Sequence, residues 1–280
     1  MPRFALSLLL LVFCPGPLTA AWAWQGTTGA VWHGNVTNSD RASDRLAALQ
    51  WQSELTGDFH RSLPGGNTVS AGLSLGLDLW PRYQGLDSLT IGPTVGFQHK
   101  FGLGAQAWVL NATATGGWGS VREANRSGLA SQLQFEIRKR WGDSWQFALG
   151  TERARYEARH VAFDRSGREN YLRGEYQLNA VWHATVELRQ RAGLVISYTT
   201  PPRPDLVQAG KILTLVDTFE RPTPLLAYYF PADTRSASIE LVRLLDPATS
   251  AYLRIEYGET RHNALRYLNP RSTLGVIHRF

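Results

Sequence analysis

"LQWQSELTGDFHRSLPGGNTVSAGLSLGLDLW", residues 49–80, consists of two alternating runs on either side of a Pro-Gly-Gly-Asn turn. In the first run Trp51, Ser53, Leu55, Gly57 and Phe59 share one face, and Gln50, Gln52, Glu54, Thr56, Asp58 and His60 share the other. In the second run Val69, Ala71, Leu73, Leu75, Leu77 and Leu79 oppose Thr68, Ser70, Gly72, Ser74, Gly76 and Asp78. Side chains alternate across a strand, so a period of two marks a sheet with one apolar and one polar face. The paired glycines supply the backbone freedom of a hairpin turn. The stretch reads as a long-armed β-hairpin.

The same alternation recurs at Leu89–Lys100, Leu129–Trp141, Trp145–Tyr156, Leu172–Trp182, Ala184–Thr200, Arg235–Leu245 and Ala251–Thr260, with no helical period between them. Connections run alternately long and short. Short ones lie near Pro64, Phe101, Gly142, Trp182–Ala184 and Asp246; long ones are Asn38–Leu46, Pro81–Ser88, Gly116–Gly128, Arg159–Asn170, Pro201–Thr234 and Arg261–Pro270. The count is about twelve strands, with both chain ends on the short-turn side. "KILTLVDTF" (211–219) and "PLLAYYF" (224–230) are apolar on both faces, and would make fourteen strands or a loop folded inward. In Gly104–Thr115 the two faces are too alike to assign.

Residues 1–23 have one basic residue, Arg3, an apolar core from Ala5 to Cys14, and small residues at Ala20, Ala21 and Ala23. That is the pattern of a cleavable secretory signal, and the core is too short to span a membrane as a helix. Residues 24–280 then form a single domain of about 255 residues with no linker composition. The only cysteine, Cys14, falls inside the signal, so disulfides, thiol catalysis and Cys-ligated metals are excluded from the mature chain. The net charge is +6, and Lys100, Lys139 and Lys211 are the only lysines. Arginines and carboxylates interleave along the chain rather than clustering, which argues against a nucleic-acid partner.

What the apolar face meets is decided at the strand ends. Phe59, Phe101, Trp141, Trp145, Trp182 and Phe280 sit at the short turns, and Trp51, Trp80, Tyr171 and Tyr198 near the other ends. Aromatic bands flanking an aliphatic middle belong to strands that cross a bilayer. An outward arginine at mid-membrane costs roughly 2–4 kcal/mol, so the mid-strand charges must face inward. No strand edge can be left in hydrocarbon, so the sheet closes. The expected fold is all-β, a closed antiparallel transmembrane β-barrel.

The chain ends "TLGVIHRF" (273–280), in which Thr273, Gly275 and Phe280 match the C-terminal assembly signal of bacterial outer-membrane β-barrel proteins, while His278 departs from its hydrophobic penultimate place. The mature chain resembles that class over its whole length. The resemblance implies location in the bacterial outer membrane, with membrane lipid, lipopolysaccharide and the barrel-assembly machinery as partners. It implies no particular family.

The expected lumen places Glu136, Arg138, Arg140, Glu152, Arg173, Glu175, Glu187, Arg189 and Arg191 opposite a wall of small residues, Gly72, Ser74, Gly76, Gly92, Thr94 and Gly96. Of these, Glu136, Arg138, Arg140, Arg173, Glu175, Glu187, Arg189 and Arg191 are the selectivity candidates, and Glu175 is expected across from Arg189 or Arg191. A barrel of this size lies between one filled by side chains and one holding a channel. The arginine surplus on one wall favours passive, porin-like diffusion of small, mostly anionic solutes through a monomer. The alternative is a closed structural or lipopolysaccharide-interacting barrel, in which Arg153, Arg155 and Arg159 on the lipid-side parity would meet phosphate. A third reading, an outer-membrane hydrolase, rests only on His60–Ser62, and His60 is better read as a lumen residue paired with Asp58. No catalytic residue, cofactor or metal ligand set is expected; the histidines have no metal spacing, and "GLGAQA" (102–107) is read as a hairpin turn rather than a dinucleotide loop.

Overall fold

In the computed structural model, residues 22–209, 211–216, 218–219, 222–263 and 265–280 are described, and the expected signal segment lies outside them except at its last two positions. The strands are β1 (Ala23–His33), β2 (Ala48–Leu63), β3 (Asn67–Leu79), β4 (Ser88–Phe101), β5 (Trp108–Val121), β6 (Gly128–Trp141), β7 (Trp145–Ala158), β8 (Arg165–Gln177), β9 (Trp182–Thr199), β10 (Lys211–Val216), β11 (Leu225–Leu244), β12 (Thr249–His262) and β13 (Leu265–Arg279). Among the described residues one short α-helix, α1 (Pro204–Ala209), precedes β10, and single 3-10 turns stand at 42–44, 84–86, 124–126 and 161–163.

Except at β9–β10, consecutive strands pair antiparallel, and the ring closes where β1 meets β13, from Gln25↔Arg279 to His33↔Arg271. β9 pairs directly with β11 from Thr199↔Leu226 to Trp182↔Arg243. β10 therefore adds only to the far end of β11, opposite Leu225–Tyr229, and is not a wall strand. Twelve strands form the barrel. The two ambiguous apolar runs become β10 and the first third of β11, which explains why neither face of them is polar: both lie beyond the bilayer-crossing part of the wall.

The β2–β3 register, Leu55↔Leu75 and Gln52↔Asp78, puts the two apolar faces of the opening hairpin on one side. That side is the outside. Leu73, Leu75, Leu77 and Leu79 on β3, Leu149 on β7, Leu172 on β8, Leu188 on β9, Ile239 on β11 and Leu253 and Ile255 on β12 are all exposed large hydrophobics. A contiguous apolar surface of that extent is incompatible with water and fits the lipid-facing belt of a transmembrane barrel. At the turn end it is bounded by Trp24, Phe101, Trp108, Trp141, Trp145 and Phe280.

The turn that joins β2 to β3 runs through Gly65 and Gly66, each at φ +75°, a region that side-chain-bearing residues avoid. "GLGAQA" is likewise a turn between β4 and β5, and β5 resolves into Asn111, Thr113 and Thr115 inward with Ala112 and Ala114 outward.

Three expectations are corrected. β8 begins at Arg165 and ends at Gln177, not Leu172–Trp182, because the turn forms at 178–181, where the Asn179 side-chain oxygen accepts from the amides of Val181 (2.9 Å) and Trp182 (3.0 Å). The connection expected at Arg261–Pro270 is a tight hairpin closing at His262↔Leu265, with Asn263 in the left-handed region. Finally, the loop-end aromatic band is Trp32, Trp51, Trp118 and Tyr257. Of the residues expected there only Trp51 belongs: Tyr171 takes the inward parity of the earlier-starting β8, and Trp80 and Tyr198 lie in segments past the wall.

Candidate functional site: a capped and charged lumen

All eight selectivity candidates fall on inward parity, because the registers of β6 to β9 keep them in phase with Gln132 and Gln134. They divide into two groups. Near the turn end, Arg173 bridges Glu136 (2.6 Å) and Glu175 (3.1 Å). Glu136 also accepts from the Tyr171 hydroxyl (2.8 Å), which in turn accepts from Gln134 (2.6 Å). This reach from β6 to β8 is possible because β7 presents Gly150 between them; an added Cβ there would sit 2.3 Å from the Tyr171 ring. Arg138 donates to Gln98 across β5, and Arg140 donates to the Asp143 carbonyl in the turn.

Next to it around the wall, where Glu187 stands opposite Arg173, Arg189 binds Glu187 (2.6 Å) and Glu169, and Glu187 also takes Arg254 (3.2 Å), which reaches over Ser238 on β11. The expected pairing of Glu175 with Arg189 or Arg191 does not occur. Glu175 stands opposite Thr185, and Arg191 opposite Glu169, since the turn before β9 lies several residues earlier than anticipated.

Two cavities follow from this arrangement. The larger, about 1070 Å³, lies under the loop end and is lined by Arg126, Arg165, Arg189, Arg191, Arg254 and Arg271, against Asp78, Glu169, Glu240 and Glu256. The smaller, about 340 Å³, is bounded by Ser74, Thr90, Gly92, Thr115 and Gly117 on one side and Glu152, Arg165, Glu169 and Arg191 on the other. They meet at Tyr156, Arg165, Glu169 and Arg191. The eccentric gap beside a small-residue wall is thus present, although part of that wall is filled: Asp58, Thr90 and Ser70 side chains occupy the space beside Gly72, Gly76 and Gly96. Among the described residues, Arg165, Arg191 and Arg271 have no carboxylate within ion-pair distance.

The loop end carries a cap of packed loops. Past Gly193, β9 leaves β8 and, with the start of β11 and with β10, makes a three-stranded flap. The flap is tied to the β1–β2 loop by Tyr198 N–H to Thr37 O (2.7 Å), by Asn38 to Ile196 O (2.9 Å), and by the buried Asp44 carboxylate, which accepts from Thr199 and Thr200. Tyr83, Phe163, Ile196, Tyr198, Phe219 and Ala227 form its apolar core. Arg126, from the β5–β6 loop, runs into this core. It binds Glu123 (2.7 Å) and the Tyr198 hydroxyl (2.7 Å) and lies over the Phe163 ring at 4.3 Å. Burial opposes its charge, but Tyr198 and Glu123 outweigh that and raise its pKa above the ordinary arginine value.

Other candidates are placed as follows. Thr273 is buried opposite Val31, Gly275 lies against Thr28 and the Tyr252 ring, and the Phe280 amide donates to Trp24 O. His60 is exposed at the turn end opposite Ser70, while Asp58 turns toward Gly72. Arg153 and Arg155 point outward and are exposed, toward the loop-end edge of the belt.

Sequence reading missed Arg165, Arg254, Arg271 and Arg126. Arg254 and Arg271 lie on the legible inward parity. Arg165 falls in a stretch read as loop, and Arg126 sits in a loop where no period exists to place it.

No protein-family model matches the chain, and no characterised protein matches it in sequence. Its backbone is similar to the COG4313 outer membrane channel from Pseudomonas putida F1, with TM-score 0.61 at 13% identity over 95% of this chain and 99% of that one. It is also similar to the NanC porin, with TM-score 0.51 at 9% identity over 91% and 100%. At such identities the likeness is one of fold, that of bacterial outer-membrane β-barrel channels.

Proposed function

We propose that the barrel is a passive channel of the bacterial outer membrane for small solutes, with a preference for anions, its turns and chain ends facing the periplasm and its cap facing outward. The observation that carries this reading is the trio Arg165, Arg191 and Arg271, which line the larger cavity without carboxylate partners. Six arginines against four carboxylates around one aqueous cavity make a positive local potential, and fixed charges lining a pore select by sign. The flap, tied to the facing loops through the cap core, is the element that gates passage in this reading. The neighbouring folds are those of channels, which supports the general class and leaves the choice of solute to the lumen charges.

Planar-bilayer recording of the refolded protein under a salt gradient tests it. Anion-selective conductance is expected, with the reversal potential moving toward zero in an R165Q/R191Q/R271Q variant. A correctly folded barrel that never conducts, or one that selects cations, refutes the proposal. The apolar core of the cap favours a second reading, a closed structural barrel, and complete absence of conductance would support that instead.

A further inference from the structure

The outer face holds a cationic pair that the channel reading does not use. Along β7 the outward residues run Trp145, Phe147, Leu149, Thr151, Arg153 and Arg155; along β8 they run Tyr176, Gly174, Leu172, Asn170, Arg168 and Ser166. Arg153 and Arg168 stand directly opposite each other in the β7–β8 register, and both are exposed. Their other cross-strand neighbours are Leu133 and Ala192. Among the described residues neither forms an ion pair, whereas Arg155 is already held by Glu157 at 2.6 Å.

Like charges directly opposite on one sheet face repel, with Cβ atoms about 4.5–5.5 Å apart. Two guanidinium groups at that spacing converge on a single tetrahedral anion, which relieves the repulsion and accepts hydrogen bonds from both. Their height fits a headgroup. Arg153 is eight residues beyond the turn-end Trp145 on β7; at roughly 3.3 Å per residue and a strand tilt of about 40°, its Cα lies about 20 Å above that band. An extended arginine reaches several ångströms further, to the edge of an apolar band about 25 Å tall. Thr151 and Asn170 form a polar step just below it.

We infer that Arg153 and Arg168 together bind the phosphate of a lipid headgroup in the leaflet at the loop end, the partner being a phosphorylated glycolipid of the lipid A type. The site is independent of whether the lumen conducts.

Native mass spectrometry of the detergent-solubilised barrel, titrated with bisphosphorylated lipid A and with the same lipid after phosphatase treatment, tests it. The wild type is expected to retain the phosphorylated lipid at least about tenfold more tightly than the dephosphorylated one. The R153Q/R168Q variant should lose that difference, and R155Q should keep it. Equal retention of the two lipids by the wild type overturns the proposal, and this arm needs no variant to fold. Undiminished discrimination in R153Q/R168Q, or occupation of the face by a second copy of the chain in place of lipid, also overturns it.

Discussion

Replacing Arg126 by alanine should loosen the cap while leaving the barrel wall intact. The side chain belongs to the β5–β6 loop, so no ladder hydrogen bond depends on it, and it is nearly buried, with 12% of its side chain accessible. The substitution removes charge-assisted hydrogen bonds to Glu123 and Tyr198, each worth about 1.5–3 kcal/mol at most. It also removes a cation–π contact with Phe163 worth about 0.5–2 kcal/mol. Discounting for the partial exposure of Glu123 and for water entering the space, a net loss of about 3 kcal/mol is expected. If the flap opens as a unit, that raises the open population by about two orders of magnitude. Single-channel recording reads this as longer or more frequent open events. Identical open probability in R126A and wild type, in protein shown to be folded by its heat-dependent gel mobility, would refute the assignment of the cap as the closing element.

Three further expectations concern stability. Gly150→Val should clash with the Tyr171 ring, dislodging Tyr171 from Glu136 and lowering the urea midpoint of the refolded barrel by the equivalent of about 1–3 kcal/mol. Glu136→Gln leaves Arg173 with Glu175 as its remaining partner, so the loss should be smaller than the roughly 3–5 kcal/mol of a fully buried broken pair, measured by the same midpoint. Asp246, in the β11–β12 turn, is held below the ordinary carboxylate value by the Thr249 side chain and by the Ala248 and Thr249 amides. A depressed folded-state pKa contributes stability above the unfolded value and loses it as pH falls through the folded one. The stability gap between wild type and D246N should therefore be present at neutral pH and shrink below 3.8; a gap that widens on acidification would contradict this.

Much of the wall was legible because period two is a local property. From Trp51 to Leu79 every inward and outward assignment survives, since each residue's side follows from its neighbour's. What failed was phase across turns. One misplaced turn, at Trp182–Ala184 instead of 178–181, hid the start of β8, and with it Arg165 and the partners of Glu175. The aromatic band failed for a related reason: a tyrosine's side depends on strand phase, and Tyr171 and Tyr198 turned inward or into the flap. The cap was illegible because its residues come from five separate loops and meet only in three dimensions. Its apolar runs, 211–219 and 224–230, announced burial without saying against what.

The seam between β1 and β13 has a consequence for how the molecule comes into being. Nearly every other junction in the ring joins strands adjacent in the chain, so each forms at little loop-closure cost. The seam joins Gln25 to Arg279, with Gly29 against Gly275 and the Tyr252 ring laid across both. Until β13 is in place, the sheet presents two rows of bare amides and carbonyls, one at each margin, to a medium that cannot solvate them. Stability therefore does not accumulate strand by strand. Eleven strands amount to an open ribbon seeking any other edge, and the twelfth converts it in one step into a surface without edges.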